Sequence, residues 1–382
     1  MALHEYSRWD GRQSFSPQSA DRLFDQIAQQ MLQFGDQVLR RLEDLEDDPD
    51  AADLLRKIQE QGLMERDKEG HWVVTPQGLK RVRHHALLNL FQTLKANAAG
   101  GNHETRLKGG CESPHEDIRP YVYGDSLAHL NLHETLRNAM ARRPSGPPIR
   151  LERDDLMIHE TERQVRCATV VLIDQSGSMG RYGKYAQTKR IALALAGLVQ
   201  ARFPQDSLEF VGFSSFAHRL SEIDLLNSAP KRVSIFDPRV HLRINLDAPP
   251  AFVPQHFTNI HAGLKLARSI LARQTAATKQ IIVITDGEPT AHVEGRDVLL
   301  IYPPCERTAD ATLAEARQCA RAGIAVSSFA LIEDSFYVGL VNFVEQLAKV
   351  TRGVAISCDA SDIGKLVYQS FVGGRQTRRV IP

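Results

Sequence analysis

The strongest indication of the fold class is the stretch Ala168-Thr-Val-Val-Leu-Ile-Asp174-Gln-Ser176-Gly-Ser178-Met179. Residues 168–173 form a continuous apolar run that ends at Asp174. Such a run is typical of a strand buried on both faces of a parallel sheet. The small and polar residues after it predict a loop at the carboxyl end of that strand. The stretch therefore predicts a buried strand of an α/β protein with polar side chains at its end.

The rest of the C-terminal half alternates between helical and strand patterns. We predict helices at 185–203, 260–272, 309–322, 338–351 and 362–373, and strands at 208–213, 280–285, 324–331 and 354–358. A polar region separates the strand at 208–213 from the helix at 260–272. Alternating strands and helices predict an α/β, doubly wound, mostly parallel, Rossmann-like sheet over residues 166–380.

The N-terminal part has a different pattern. Residues 19–45 have apolar positions at helical spacing, and a second helix is expected from Ala51 to Gln61. Two short strands are expected within residues 62–74, and Thr75-Pro76 begins a further helix that runs to about Lys95. This order predicts a small helical, winged-helix-like region over residues 1–97. Residues 98–165 form a linker segment, with a helix at Leu132–Arg142 and the strands of a hairpin within 149–164.

Composition excludes several functional classes. The chain has 382 residues with 47 Lys and Arg against 46 Asp and Glu, so its formal net charge of +1 does not favour nucleic acid as a partner. No apolar run approaches the roughly 20 residues of a membrane span, and the N-terminus has no apolar signal-peptide core. The five cysteines form no C-x-x-C pair, so we expect reduced thiols and a cytoplasmic location.

Side chains that carry oxygen atoms follow two of the predicted strands and precede one of the predicted helices. Asp174, Ser176 and Ser178 follow the first buried strand, Thr258 precedes a helix, and Asp286 follows a later strand. The carboxyl ends of the strands line one crevice of an open α/β sheet, so these side chains can converge. A small hard cation, Mg²⁺ or Mn²⁺, suits such ligands. Ser176, Ser178 and Thr258 would bind it directly, and Asp174 and Asp286 through water, leaving it attractive to a carboxylate from another molecule.

This order of Asp-x-Ser-x-Ser, Thr and Asp-Gly resembles the von Willebrand factor A (VWA) domain with its metal-ion-dependent adhesion site (MIDAS). All five positions match the pattern. The resemblance implies that Asp174, Ser176, Ser178, Thr258 and Asp286 hold the metal.

Further stretches resemble a bacterial branch of these proteins that is related to the D component of magnesium chelatase. They are Arg119–Asp125, Leu132–Asn138, Asp286–His292 and Ile301–Pro304. Members of that branch are similar to partners of MoxR-type AAA+ ATPases. The chelatase component itself carries an AAA+ module, which this chain lacks, so the resemblance implies a stand-alone partner of a MoxR- or chelatase-type ATPase. The first hundred residues lie outside the resemblance.

Two classes of function follow. The first is a non-enzymatic, Mg²⁺-dependent protein-binding module. The alternative is a DNA-binding or regulatory protein that uses the winged-helix-like region, whose last helix has Lys80, Arg81 and Arg83.

Enzyme signals are incomplete. Gly124-Asp-Ser-Leu127 lacks a suitably spaced Asp and His, and Gly180-Arg-Tyr-Gly-Lys184 departs from the P-loop pattern. His256 is the only candidate base beside the site, and we expect a packing role for it.

Overall fold

The computed structural model describes residues 20–44, 49–99, 118–123, 130–144, 146, 148–159, 166–332, 338–360 and 362–376. Contacts divide the chain into two compact units. The first comprises Met1–Ala99 together with Arg166–Pro382, and the second is Gly100–Val165. Among the described residues, no helix combines the length and the apolar character that crossing a membrane requires.

The N-terminal part of the first unit consists of helices and a hairpin. Its described elements are α1 (Ala20–Phe34), α2 (Gln37–Asp44), α3 (Pro49–Glu60), β1 (Met64–Arg66), β2 (Trp72–Val74) and α4 (Pro76–Ala99). The hairpin is antiparallel, with Met64 opposite Val74. The single helix predicted at 19–45 is wrong, because Gly35 adopts a φ of +64° and separates α1 from α2. Glycine enters this left-handed region readily, so it ends a helix even within an apolar repeat.

The second unit is small. Its described elements are β3 (Ile118–Pro120), α5 (Leu132–Arg142) and β4 (Met157–His159). β4 pairs antiparallel with β3, placing Ile158 opposite Arg119. The hairpin predicted within 149–164 is wrong for its described part, because residues 153–155 form a 3₁₀ turn. Asp155 stabilises that turn by accepting from the Glu152 N–H (2.8 Å) and from Arg142 (2.7 Å). Gly124–Leu127 lie outside the described residues.

The remainder of the first unit alternates between strands and helices. In chain order its described elements are β5 (Cys167–Asp174), α6 (Lys184–Arg202), β6 (Ser207–Phe213), β7 (Ala217–Leu220), α7 (Glu222–Asn227), β8 (Val240–Asn245), α8 (Ile260–Ala272), β9 (Thr278–Thr285), β10 (Ala291–Glu294), β11 (Asp297–Tyr302), α9 (Glu306–Arg321), β12 (Ile324–Leu331), α10 (Val338–Thr351), β13 (Ala355–Cys358) and α11 (Ile363–Gln376).

The central sheet has six strands in the order β13-β12-β9-β5-β6-β7. Its strands are parallel except for β7, which pairs antiparallel with β6 at one edge. Every residue of β5 is buried. Val171 and Ile173 face one core, with α6, α11 and the N-terminal helices, whereas Val170 and Leu172 face the other, with α8, α9 and α10. The predicted doubly wound α/β fold, preceded by a helical N-terminal region, is confirmed.

A second sheet was not predicted. β8, β11 and β10 form an antiparallel sheet, in which Val298 lies opposite Ile244. β8 has only Val240 and Ile244 buried, so it lacks the alternation that identifies a strand in sequence. The chain enters this sheet before Thr258 and again after Asp286, so the sheet adjoins both loops.

Candidate metal centre

Asp174 is the last residue of β5, and its side chain is fully buried. Its Oδ1 accepts a hydrogen bond from the Ser176 N–H (2.8 Å), and its Oδ2 accepts one from the Thr285 hydroxyl (2.5 Å). Thr285 ends β9, which pairs with β5. Burial raises the pKa of Asp174 above its ordinary value, and the neighbouring charge of Asp286 raises it further. A carboxylate in this position gains most from a nearby cation.

The two serines lie between the aspartates. A 3₁₀ turn at Gly177–Gly180 follows Ser176 and places the Ser176 and Ser178 Oγ atoms 3.1 Å apart. The Ser178 hydroxyl donates to Asp286 Oδ1 (2.6 Å). A Cβ at Gly177 would lie 2.6 Å from Val233 Cγ2. A larger residue at this position would have to displace the Val233 side chain.

Thr258 lies in the loop before α8, and its side chain lies next to the loop of Asp286. Its backbone N–H donates to the Thr290 hydroxyl (2.8 Å), and its carbonyl accepts from the Thr290 N–H (2.9 Å). A Cβ at Gly287 would lie 3.3 Å from Thr258 Oγ1, so this hydroxyl lies against the residue after Asp286. Asn259 then caps α8 by accepting from the Ala262 N–H (2.9 Å). The cap fixes where α8 begins and with it the position of Thr258.

The five residues therefore lie together at the carboxyl ends of β5 and β9. The two carboxylates and three hydroxyls offer oxygen atoms only, which fits Mg²⁺ or Mn²⁺ and does not fit a thiolate-binding metal. Nowhere in the described part of the chain do three or more His, Cys, Asp or Glu side chains form a group that could hold a metal. A cation at this centre would thus be held by hydroxyls and few charges, with much of its own charge uncompensated.

Lys184 is a member of this cluster that the sequence did not identify. Its Nζ donates to Asp286 Oδ2 (3.1 Å), and the two side chains are 3% and 1% exposed. Lys184 is the first residue of α6, where the positive end of the helix dipole disfavours a cation. A lysine at the start of a predicted helix is therefore the sequence signal that could have indicated a carboxylate close to Lys184.

Behind the site, a chain of hydrogen bonds fixes the loop to α6. Gln175 Nε2 donates to the Tyr185 hydroxyl (2.8 Å), which bonds to Ser228 Oγ (2.6 Å). Ser228 Oγ donates to the Leu225 carbonyl (2.7 Å). The Gln175 backbone carbonyl also accepts from the Lys231 N–H (2.8 Å), so the segment at 228–234 lies along the loop that holds the serines.

His256, the candidate base, has a positional role. Its carbonyl accepts from the Gly177 N–H (3.3 Å), and its Nδ1 lies 3.3 Å from Ser234 Oγ. The imidazole packs on Phe257, with ring centroids 4.6 Å apart, and burial lowers its pKa. These contacts hold the loop around Gly177.

The basic residues of α4 have partners within the chain. Arg81 Nε donates to Asp25 (3.0 Å) and the same guanidinium bonds to Asp21. Arg83 Nη1 lies 2.9 Å from Glu222 Oε2, and that pair joins α4 to the start of α7. These two guanidinium groups therefore bind carboxylates of the protein itself.

The fold and this cluster define the class of protein. A doubly wound sheet with Asp-x-Ser-x-Ser after one strand and Asp-Gly after another is the arrangement of a VWA-type domain.

Comparison with known families gives the same class. Residues 167–372 match the family described as Rv0959-like protein, vWA domain, and residues 113–161 match the Rv0959-like protein, third domain. The chain therefore belongs to the Rv0959-like family of VWA-domain proteins.

Curated relatives come from mycobacteria. The chain is 30% identical over 332 residues to the uncharacterized protein Rv0959 of Mycobacterium tuberculosis strain H37Rv and to the uncharacterized protein Mb0984 of Mycobacterium bovis. The match covers 85% of this chain and 45% of each relative. The chain thus spans less than half the length of these relatives.

Solved structures with similar folds are more distant. One is the vWF domain of the type V pili tip protein Mfa5 from Porphyromonas gingivalis, at 16% identity and a TM-score of 0.39, covering 57% of this chain and 99% of that one. Another is the PilB minor pilin from Streptococcus sanguinis, at 16% identity and a TM-score of 0.42, covering 59% of this chain and 66% of that one.

Proposed function

We propose that this VWA domain is a Mg²⁺-dependent protein-binding module, without an enzymatic activity of its own, whose metal centre takes a carboxylate from a partner protein. The observation that carries the proposal is the cluster of Ser176, Ser178 and Asp286, joined by contacts of 3.1 Å and 2.6 Å. Hydroxyl ligands leave most of the charge on the cation, so an acidic side chain is the natural further ligand. Mn²⁺ fits the same oxygen atoms.

Apolar side chains beside the cluster support a protein as the ligand. Tyr182, which follows the serine turn, is 70% exposed, and Phe236, on the segment after Ser234, is 86% exposed. Val233, which contacts Gly177, is also exposed. Exposed aromatic residues are enriched where proteins bind one another. An acidic residue flanked by apolar ones is the kind of partner segment that these groups would hold.

The proposed partner is an AAA+ ATPase of the MoxR or chelatase type. Support comes from the sequence resemblance carried by Arg119–Asp125, Leu132–Asn138, Asp286–His292 and Ile301–Pro304. DNA is not the proposed ligand, because Arg81 and Arg83 are engaged with carboxylates of the chain.

The test uses the full chain. A purified MoxR-type AAA+ ATPase is captured on the immobilised parent protein in Mg²⁺ and in EDTA. We expect capture in Mg²⁺, its loss in EDTA, and its loss in Thr258→Ala even with Mg²⁺ present. The matched control is Thr275→Ala. Thr275 is exposed and lies just before the amino end of β9, whereas the cluster lies at the carboxyl ends of the strands.

Capture that persists in EDTA would place the binding surface elsewhere and contradict the metal-dependent route. Absence of calorimetric Mg²⁺ binding by the parent chain would contradict the metal centre itself. Salt-dependent binding of duplex DNA by the parent would instead favour the regulatory alternative.

A further inference from the structure

Lys184 is a buried cationic side chain in contact with the candidate metal centre. Its ammonium contacts one oxygen of Asp286, whose other oxygen accepts from Ser178. Both ends of this ion pair are almost completely buried, so water screens it little. Removing one partner of such a pair leaves an uncompensated buried charge. The ion pair between Lys184 and Asp286 is therefore an integral part of the folded site.

The neighbouring charges are few. Asp174 and Asp286 are the two carboxylates of the cluster, and Lys184 is the cation in contact with one of them. Glu288 follows in the same loop, but its carboxylate lies against Gly339, where a Cβ would be 2.1 Å from Glu288 Oε1. Arg181 on the serine loop is exposed. Among the described residues, the buried charges at the centre are thus two negative and one positive.

We propose that Lys184 is a built-in counter-ion that leaves the metal centre one negative charge short of neutralising a divalent cation, and so makes the loaded centre select a carboxylate. This inference rests on the proposed metal site. Without metal, the ammonium balances Asp286 and stabilises the cluster. With a divalent cation bound, the centre carries one net positive charge, which an acidic ligand neutralises. Without Lys184, the two carboxylates alone would neutralise the cation.

Opposite effects on two ligands follow from this charge count. Replacing Lys184 with an uncharged residue removes repulsion toward the cation, so the affinity for the metal rises. The same change removes the net positive charge of the loaded centre, so its affinity for a carboxylate falls. A merely structural lysine would lower both affinities or neither.

The experiment uses the 382-residue chain and two neutral variants, Lys184→Met and Lys184→Gln. Calorimetry measures the affinity for Mg²⁺. Water-proton relaxation of the Mn²⁺-loaded proteins measures how acetate, as the carboxylate probe, displaces bound water. The control is Lys265→Met, which removes one charge from an exposed position on α8. Melting temperatures are recorded in EDTA and in Mg²⁺.

We expect both Lys184 variants to bind Mg²⁺ about tenfold more tightly than the parent and acetate about tenfold more weakly. Lys265→Met should match the parent. The Lys184 variants should also melt at a lower temperature in EDTA and show a larger rise with Mg²⁺, because the metal replaces the missing cation. A variant that folds only with Mg²⁺ would support the same role.

Equal or weaker Mg²⁺ binding by the variants, with the parent binding normally, would overturn the role of Lys184 and leave the metal centre standing. Variants that remain unfolded in Mg²⁺ would also overturn it, since the metal would not have replaced the ammonium. A parent chain that binds no Mg²⁺ would instead overturn the proposed function.

Discussion

Asp174 and Asp286 are two buried carboxylates that share one site, and only Asp286 contacts a cationic side chain there among the described residues. Burial of Asp174 disfavours its charged form, which raises its pKa. Burial of these two carboxylates lowers the stability of the metal-free protein, and a bound cation would offset that loss. A buried charge retained at such a cost is typical of a functional residue.

Asp174→Asn should therefore have opposite effects on the affinity for Mg²⁺ and on the stability of the metal-free protein. Neutralising the carboxylate is expected to weaken Mg²⁺ binding by about 10- to 100-fold, as loss of a group that supports metal ligands does. In EDTA the variant should melt at a higher temperature than the parent, because the buried charge is gone. Calorimetry and thermal melts measure both effects.

The control for that variant is Asp310→Asn, since Asp310 is exposed on α9, which supplies no residue to the cluster. It makes the same change of charge away from the cluster and should alter neither quantity. Unchanged Mg²⁺ affinity in Asp174→Asn would show that this carboxylate does not support the metal.

The described cysteines should differ in reactivity. Cys167, Cys305, Cys319 and Cys358 are free, and Cys111 lies outside the described residues. Burial raises the pKa of the Cys319 and Cys358 thiols to about 12. At pH 8 such a thiol is ionised to only about 1 part in 10⁴, and the thiolate is the reactive form.

Iodoacetamide at pH 8 should therefore label Cys305, which is half-buried, well before Cys319 and Cys358. Peptide mapping by mass spectrometry over time measures the order, and labelling in urea provides the control because all thiols are then exposed. Raising the pH toward 10 should accelerate labelling of Cys319 and Cys358, since their thiolate fraction grows with pH. Early labelling of Cys319 would contradict its burial.

Gly35 is the position on which the break between α1 and α2 depends. Its φ is +64°, and a Cβ there would lie 2.3 Å from the Asn227 carbonyl oxygen. The Asp36 N–H donates to that same carbonyl (2.8 Å). The break therefore brings the end of α1 against the end of α7 at a distance that only glycine permits.

Gly35→Ala should destabilise the protein through both strain and overlap. Gly70→Ala is the matched control, because Gly70 has a φ of +89° but no atom within 4 Å of the added Cβ. We expect about 1–2 kcal/mol for the control from the left-handed backbone alone, and about 1–3 kcal/mol more for Gly35→Ala from the steric overlap. Urea unfolding measures the difference. Equal losses of unfolding free energy would show that the backbone at Asn227 moves away from the added methyl group at little cost.

At the scale of the whole first unit, α6 joins the N-terminal helices to the candidate site. Lys184 at its start binds Asp286, and Tyr185 bonds to Gln175 beside the serines. Further along α6, Lys189 Nζ donates to the carbonyls of Met31 (2.7 Å), Leu226 (2.6 Å) and Ser228 (2.8 Å). One helix thus fixes α1, α7 and the metal loop relative to one another.

Lys189 is fully buried, and burial lowers its pKa to about 7. The three carbonyl acceptors oppose that shift, because an ammonium has three N–H groups to donate and a neutral amine has two. Two of these carbonyls belong to the last turns of α1 and α7, where the negative end of the helix dipole favours a cation.

Lys189→Met should weaken the attachment of the N-terminal helices. Three buried carbonyls lose their partner, so we expect a loss of about 2–4 kcal/mol in unfolding free energy. Hydrogen exchange should accelerate in α1 and around Asp36 while β5 and β9 remain protected. Lys349→Met is the control, since Lys349 is exposed on α10, which packs on the other face of the sheet. Unchanged exchange in α1 would contradict the role of Lys189.

The sequence predicted the central strands and the site loops because both depend on neighbours in the chain. A fully buried strand needs a continuous apolar run, and residues 168–173 provide it. α5, α8, α10 and β12 have the predicted bounds, since their patterns are strong and their ends clear. The convergence of Asp174, Thr258 and Asp286 could also be expected, because parallel strands end at one edge of the sheet.

Local apolar patterns, and the residues that follow each strand, were enough to predict the fold class and the composition of the candidate site. The partners of the charged residues and the course of the segment between β7 and α8 became visible only in the folded protein. Lys184 and Lys189 meet groups on other elements, and β8 pairs with β11 across more than fifty residues of sequence. Contacts of that kind depend on how complete elements pack, and no local pattern encodes them.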